Sequence, residues 1–487
     1  MEIPDTGTVL IVAHTTTFLT ELSLFGELVR ARTAARTVFY CPFGHWTAER
    51  FAELCAAEGV TCLLPPLADG LSSAGFTPRP GAGEGGGANR FLARVVGRLM
   101  RDIPGIGSSY MSERLGLVAA AHEVEMLLDA VSPQLLVLGG DMVGYDTAVY
   151  VQLARRRGVR TLIVPSTMSN GLEQAEVYHA DPNYHVRGWA GALIARLFPK
   201  WVREHKGRRL FRVPPGRVLA MELAGLAPPL PWAFNSGYAD AIAMESQAMI
   251  DYYAEVGMND GRMVLTGTLS DDEMAARLAN VRHIRSRLCA ELGLDPGRPL
   301  VLVALPPDFL YLTGGRPECD FSTYNDLVEF WISTLSDQKG CSVVVALHPS
   351  VDAESMRHIE RRGIRIGTWR TAEMVPACDV YVASISSTIR WAIACAKPVV
   401  NYDVYRYRYT DFHGVPGVLT MEEQDEFRSA LRQLVEDEGY RAALSAAQAA
   451  ASPNWALLDG KVGDRMLDLV VRLSGIRERP IDGSAEK

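Results

Sequence analysis

The chain has 487 residues, 48% of them hydrophobic and 22% charged, with a formal net charge of -8, the balance of a globular protein large enough for two cores. An acidic chain of this kind excludes duplex nucleic acid as the main partner, because such binders present a broad basic face. No apolar run is long enough for a membrane-spanning helix, and residues 1–5 lack the basic-then-apolar order of a signal peptide, so the expected location is the cytoplasm.

From the start of the chain, apolar β-rich runs at residues 9–13, 37–41, 60–64, 135–138 and 161–164 read as buried parallel strands. The stretches 18–32, 47–58, 112–130 and 145–157 between them have the length of crossover helices. Such a series predicts a doubly wound parallel sheet; if its order is 3-2-1-4-5, the first and fourth strands are neighbours. Residues 69–110 interrupt it with a Gly/Pro-rich stretch, 78–87, and a basic amphipathic run, 89–101, expected as an excursion from the first domain.

Residues 186–217 reverse the overall charge, with nine basic residues against one acid, Glu204, and with Trp189, Leu193, Ile194, Leu197, Phe198 and Trp201 interleaved. Two readings stand for this segment, a surface helix flanked by a loop or a peripheral attachment to the inner face of an anionic membrane, and both predict solvent exposure. The prolines between 214 and 231 mark a linker. Strands are then expected at 263–265, 300–304, 343–347, 380–383 and 399–402, with the helical ending 421–474 bracing the domains. The expectation is an α/β protein of two Rossmann-like doubly wound domains facing a cleft, residues 1–232 and 233–475, with 476–487 as a disordered tail. The eight cysteines are scattered singly with no Cys-x-x-Cys pair, which reads as reduced thiols.

Ligands of parallel α/β sheets bind beyond the carboxyl ends of the strands. The strand at 343–347 runs into His348-Pro349-Ser350, and the strand at 380–383 runs through Ser384 and Ile385 into Ser386-Ser387-Thr388, just before a helical run. Hydroxyls and free N–H groups at a helix start form an anion site, to which His348 adds a charge-assisted contact. Taken singly, Ser386 also reads as a helix cap and His348 as a loop histidine.

The stretch 379–403, with Ser386-Ser387-Thr388 and Ala396-Lys397-Pro398-Val399-Val400, resembles the donor site of GT-B-fold glycosyltransferases. The His-Pro and Ser-Ser-Thr pair is similar to bacterial sialyl-, Kdo- and polyglycerol-phosphate transferases of surface polysaccharides, where these motifs hold the phosphate of a CMP- or CDP-linked donor. Thr266-Gly267-Thr268 followed by Asp271-Asp272 resembles the start of the second domain in that superfamily, placing Gly267 and Thr268 with the phosphate-binding set. The acidic base motif of the sialyltransferases is absent. The resemblance implies a nucleotide-activated donor as substrate, a glycan or lipid-linked acceptor, and no cofactor. No Asp-x-Asp occurs, so phosphate stabilisation is expected without a metal.

A base is expected from the first domain. His14 follows the first strand and Asp141 follows the fourth, which that strand order makes neighbours, and a carboxylate orienting an imidazole is a sound arrangement. The pair is similar to the His-Asp dyad of inverting UDP-glucosyltransferases. The alternative reading has Asp141 capping a helix and His14 lining a loop; Glu173 and Glu176 are the reserve candidates. Two other functions compete with transfer: a sugar-nucleotide 2-epimerase or hydrolase, whose Gly-Gly-x-Gln-Glu-Glu motif is unmatched by Ser386-Ser387-Thr388-Ile389-Arg390-Trp391, and a non-catalytic nucleotide-sugar-binding regulator. The run Tyr405-Arg406-Tyr407-Arg408-Tyr409 reads either as a stack for a base or sugar with arginines on phosphate, or as an exposed loop.

Overall fold

The computed structural model describes residues 7–15, 18–42, 56, 61–63, 106–144, 146–165, 171–310, 318–347, 351 and 353–479. The helix expected at 47–58, the Gly/Pro-rich stretch 78–87, the basic run 89–101 and His348-Pro349-Ser350 lie outside them, apart from Ala56. The chain divides into two units: residues 1–244, 250–266 and 463–487 form one, and 245–249 and 267–462 the other.

The first unit is built on a seven-stranded parallel sheet of order β3-β2-β1-β4-β5-β8-β9. Its strands are β1 (Thr8–Val12), β2 (Arg36–Tyr40), β3 (Thr61–Leu63), β4 (Leu135–Leu138), β5 (Arg160–Ile163), β8 (Ala241–Met244) and β9 (Met263–Leu265). The 3-2-1-4-5 order is present and continues through two further strands. β1 and β4 are unbroken apolar runs because helices cover both sheet faces, so no position between Val9 and Val12, or in Leu135–Leu138, meets water. Gly139 ends β4 where a Cβ would come within 2.3–2.5 Å of Phe18, so only glycine lets the loop after β4 pass that ring.

The expected boundary at 232/233 moves. β8 pairs with β5 and β9 with β8, so the strand at 263–265 extends the first sheet instead of opening the second. The chain also returns to the first unit from Gly463. Residues 476–479 are not a disordered tail: Ile476 is buried, the Arg479 N–H donates to Arg32 O at 2.7 Å, and Glu478 pairs with Arg32 at 2.5 Å.

The basic segment is a folded insertion between β5 and β8. Helix Gly188–Leu197 leads into an antiparallel hairpin of β6 (Val202–His205) and β7 (Arg208–Phe211). Ile194, Trp201, Leu210 and Phe211 are fully buried, and the Trp201 indole N–H donates to Glu222 at 2.6 Å. The apolar residues thus fill an internal core, which corrects the expectation that they are exposed for a membrane. Trp189, 69% exposed, is the exception. No helix among the described residues is long and apolar enough to cross a membrane.

The second unit carries a six-stranded parallel sheet of order β12-β11-β10-β13-β14-β15. The strands are β10 (Leu300–Ala304), β11 (Ser342–Ala346), β12 (Arg365–Ile366), β13 (Val380–Ala383), β14 (Val399–Tyr402) and β15 (Val418–Met421). The short β12 and β15 carry too little apolar pattern to be read from sequence, and they form as edges on a preformed ladder. One face packs Trp331, Tyr402 and Phe427 together, with the last two rings stacked 4.8 Å apart. Cys289, Cys341, Cys378 and Cys395 are free thiols.

Candidate functional site

In the first unit, β1 and β4 are hydrogen-bonded neighbours with Val12 opposite Leu138, so His14 and Asp141 leave the same end of the sheet. His14 is buried, and its ring meets Tyr150 edge-on at 5.2 Å. Burial pushes its pKa down to about 3, because the charged imidazolium would lose its hydration. The ring is therefore neutral, and the same burial makes it a weak proton acceptor as it stands.

Asp141 does not orient it. The Asp141 carboxylate is fully buried and taken up by backbone: Oδ1 accepts the Ser236 N–H, and Oδ2 accepts Tyr238 N–H at 2.7 Å and Ala239 N–H at 3.2 Å. Its own N–H donates to Asn235 Oδ1 at 3.3 Å. Burial raises the carboxyl pKa, and these backbone donors oppose the rise. Asp141 thus pins the loop that feeds β8, which corrects its reading as the dyad partner of His14. It is not a helix cap either, since the N-cap of Thr147–Arg156 is Asp146. Of the reserve residues, Glu176 pairs with His205 at 3.0 Å and Lys206 at 2.9 Å, while Glu173 is exposed.

In the second unit, the end of β13 makes an elbow. Ile385 sits at φ +43, a left-handed backbone that a β-branched side chain adopts only under strain. What holds it is Asn401 on β14, whose Oδ1 accepts the Ile385 N–H at 2.8 Å and whose Nδ2 donates to Thr420 Oγ1 at 3.2 Å. Past the elbow, Thr388 Oγ1 bonds Tyr381 Oη at 2.5 Å and Ser386 Oγ at 2.7 Å. Ser384 is buried, and its hydroxyl has no hydrogen-bond partner among the described residues. A buried hydroxyl left unsatisfied costs about 1–3 kcal/mol, so the position favours a ligand or water that satisfies it.

The following helix, Ile389–Ala394, has six residues, so its dipole is small and the elbow's own donors must bind any anion. Thr388 spends its hydroxyl inside the elbow, whereas Ser384, absent from the expected set, is left unsatisfied. Sequence could have flagged Ser384 only by its place at the strand end. Ser386 and Ser387 are half-buried at the same turn.

Gly267 and Thr268 take structural parts. Gly267 has φ +84, and a Cβ there would lie 2.7 Å from Val462. The Thr268 N–H donates to Asp271 Oδ2 at 3.1 Å, and its hydroxyl accepts from Arg390 at 3.3 Å. Arg390 also grips both oxygens of Asp271, at 3.2 and 3.3 Å, and the Trp455 carbonyl at 3.2 Å. This buried knot replaces the phosphate contact expected of Thr268 and ties the elbow's helix to the helix Leu269–Ala279.

Glu245 faces the same knot. Its Oε1 lacks a hydrogen-bond partner among the described residues, and burial raises its pKa from 4.5 to about 7, with Arg390 opposing and Asp271 adding to the rise. A carboxyl whose folded pKa exceeds its unfolded one contributes stability below the unfolded pKa and loses it as pH rises through the folded one. The predicted result is a stability that declines by about 3 kcal/mol from this group as pH climbs from about 4.5 past about 7. Urea unfolding across that range measures it, and Glu245→Gln flattens the profile. An unchanged slope in the variant refutes the assignment.

The tyrosine run is ordered, with Tyr407 and Tyr409 stacked at 5.0 Å and Tyr405 buried. Its arginines are not free for phosphate: Arg406 pairs with Asp320 at 3.1 Å and Arg408 with Glu422 at 2.9 Å.

No protein-family profile matches the chain. No curated protein matches it in sequence. Solved structures do match in fold. The UDP-GlcNAc 2-epimerase from Neisseria meningitidis bound to UDP-GlcNAc superposes with a TM-score of 0.51 at 9% identity, covering 96% of this chain and 100% of its own. The glycotransferase of kitacinnamycin gives 0.51 at 13% identity, covering 97% and 100%. The calicheamicin glycosyltransferase gives 0.50 at 14% identity, covering 96% and 98%. Two parallel Rossmann-like sheets with flanking helices, matched over nearly the whole length of these proteins, make the fold of this chain GT-B.

Proposed function

We propose that the chain is a metal-independent, inverting glycosyltransferase, or a glycerophosphotransferase, that takes a nucleotide-activated donor. The observation that carries this reading is the strained elbow at Ile385, with the buried and unsatisfied Ser384 hydroxyl beside it at the carboxyl end of β13. Strain held by a dedicated partner, here Asn401, is a mark of a site that places donors for a ligand. In this reading the elbow residues Ser384, Ser386 and Ser387, with His348, Pro349 and Ser350, hold the donor phosphate. His14 takes the acceptor proton in this reading, by its place at the carboxyl end of β1, and binding must raise the proton affinity of the buried ring for it to do so. A CMP- or CDP-linked donor and a role in surface polysaccharide synthesis follow from the motif resemblance.

Epimerisation is the second reading, since an epimerase bound to UDP-GlcNAc shares the fold. The elbow argues against it: where those enzymes place carboxylates, this chain has Arg390, spent on Asp271.

The test is thermal stability of the full chain with CMP, CDP, UDP, GDP and TDP. A nucleotide present at a hundredfold over its Kd stabilises the fold by about 2.7 kcal/mol. A shift with cytidine nucleotides above the rest is the expected outcome. No shift with any of them overturns the reading.

A further inference from the structure

The insertion between β5 and β8 carries a strip of cations that the fold leaves uncompensated. β6 and β7 pair with Arg203 opposite Leu210, Glu204 opposite Arg209 and His205 opposite Arg208. The segment before helix Gly188–Leu197 runs along the other edge of β7: His185 bridges to Leu210, and the Val186 N–H donates to Arg209 O at 2.9 Å. Continuing that register sets Arg187 beside Arg208, which stands opposite His205, so the three cross the ribbon in one row. Neighbouring strands are about 4.8 Å apart, and like charges so placed destabilise a ribbon.

Part of the segment's charge is answered locally. Lys200 pairs with Glu222 at 3.3 Å, Lys206 with Glu176 at 2.9 Å, and Arg217 with Glu113 at 2.9 Å and Asp146 at 2.8 Å. Arg187, Arg196, Arg203, Arg208 and Arg209 have no carboxylate partner among the described residues, and all but Arg203 are exposed. The excess positive field reaches His179, whose pKa is held below its ordinary value first by burial and next by Arg208 and His205. Beside Arg187 stands Trp189, 69% exposed.

The strip is rigid and firmly seated. Arg212, buried just past β7, donates to the Pro231 carbonyl at 3.0 Å, to the Val143 carbonyl at 3.2 Å and to the Tyr178 hydroxyl. Val143 lies in the loop after β4, two residues from Asp141, so the insertion is fastened to the loop at the carboxyl end of the sheet.

We propose that this ribbon, with Arg187, Arg208 and Trp189, is a docking strip for an anionic polysaccharide. The arginine row meets carboxylate or phosphate substituents along the polymer, and the open indole stacks on a sugar ring. A bilayer is the weaker occupant, because Ile194, Trp201, Leu210 and Phe211 are already buried and leave little apolar surface to insert. That the polymer is the acceptor rests on the transferase reading, whereas its binding does not.

The experiment is a fluorescence anisotropy titration of the full chain with labelled polygalacturonate, with neutral dextran and phosphatidylserine vesicles as comparisons, at low and at raised salt. The wild-type chain binds polygalacturonate with an affinity that falls as salt rises, and does not bind dextran. The double variant Arg187→Ser, Arg208→Ser loses about tenfold or more of that affinity and much of its salt dependence, whereas Arg209→Ser, on the opposite face across from Glu204, does not. Trp189→Ala loses about tenfold without flattening the salt response. All keep the wild-type melting temperature, since the changed side chains are exposed. Equal affinity in the double variant, or binding to vesicles but not to polygalacturonate, overturns the proposal. Because no donor or turnover is involved, failure here is separate from failure of the nucleotide thermal shift.

Discussion

His14→Ala is expected to cut transfer by about 10²–10⁴-fold, the usual contribution of a positioned base. The melting temperature in the presence of nucleotide stays raised, because the proposed reading gives the donor contacts to the other unit. The physical ground is the imidazole's place at the end of β1, next to β4; its burial holds the pKa down to about 3 and keeps the ring neutral throughout the physiological range. It follows that the activity of the wild-type chain has no acidic limb near the ordinary histidine value of 6.5 arising from this group. A pH–rate profile measures that directly. A His14→Ala enzyme with full activity removes the base from the mechanism, and an acid limb that vanishes in the variant shows the ring to be charged where burial says it is neutral.

Asp141→Ala is expected to act on stability, and this separates it from His14. Its carboxylate receives the N–H groups of Ser236, Tyr238 and Ala239, all in a buried loop that no water reaches once the side chain is removed. Three orphaned donors at about 1–3 kcal/mol each, partly relieved as the loop relaxes, put the loss at about 3–5 kcal/mol for the first unit, the range for breaking a buried charge's pairing. For a unit of this size that corresponds to a melting temperature lower by about 10 °C. Asp141→Asn keeps one acceptor oxygen and turns an NH₂ against a donor, so it falls between wild type and Ala. Differential scanning calorimetry distinguishes the alternatives. An Asp141→Ala chain with wild-type stability and lost turnover restores Asp141 to the dyad.

These two residues show how far the chain could be read without coordinates. Both were legible as polar groups at the ends of adjacent apolar strands, because a parallel sheet buried on both faces leaves an unmistakable run such as Thr8–Val12 or Leu135–Leu138. Their chemical roles were not legible. Asp141 takes its partners from Ser236, Tyr238 and Ala239, which lie 95, 97 and 98 residues later. No local pattern announces so distant a claim on a carboxylate. The same holds for Thr268, whose hydroxyl is taken by Arg390, 122 residues on, and for Ser384, whose unsatisfied hydroxyl depends on everything around it offering no partner.

Periodicity and the ends of buried runs suffice for the alternation of strand and helix and for the places where chemistry must gather. Only the tertiary structure decided where one unit ends and the next begins, because β8 and β9 join the first sheet by pairing and carry no mark of that choice. Tertiary packing also decided which aromatic residues of the basic segment face inward, since an amphipathic stretch can bury its apolar side against its own core or against another surface. Here the core took Trp201 and left Trp189 to solvent.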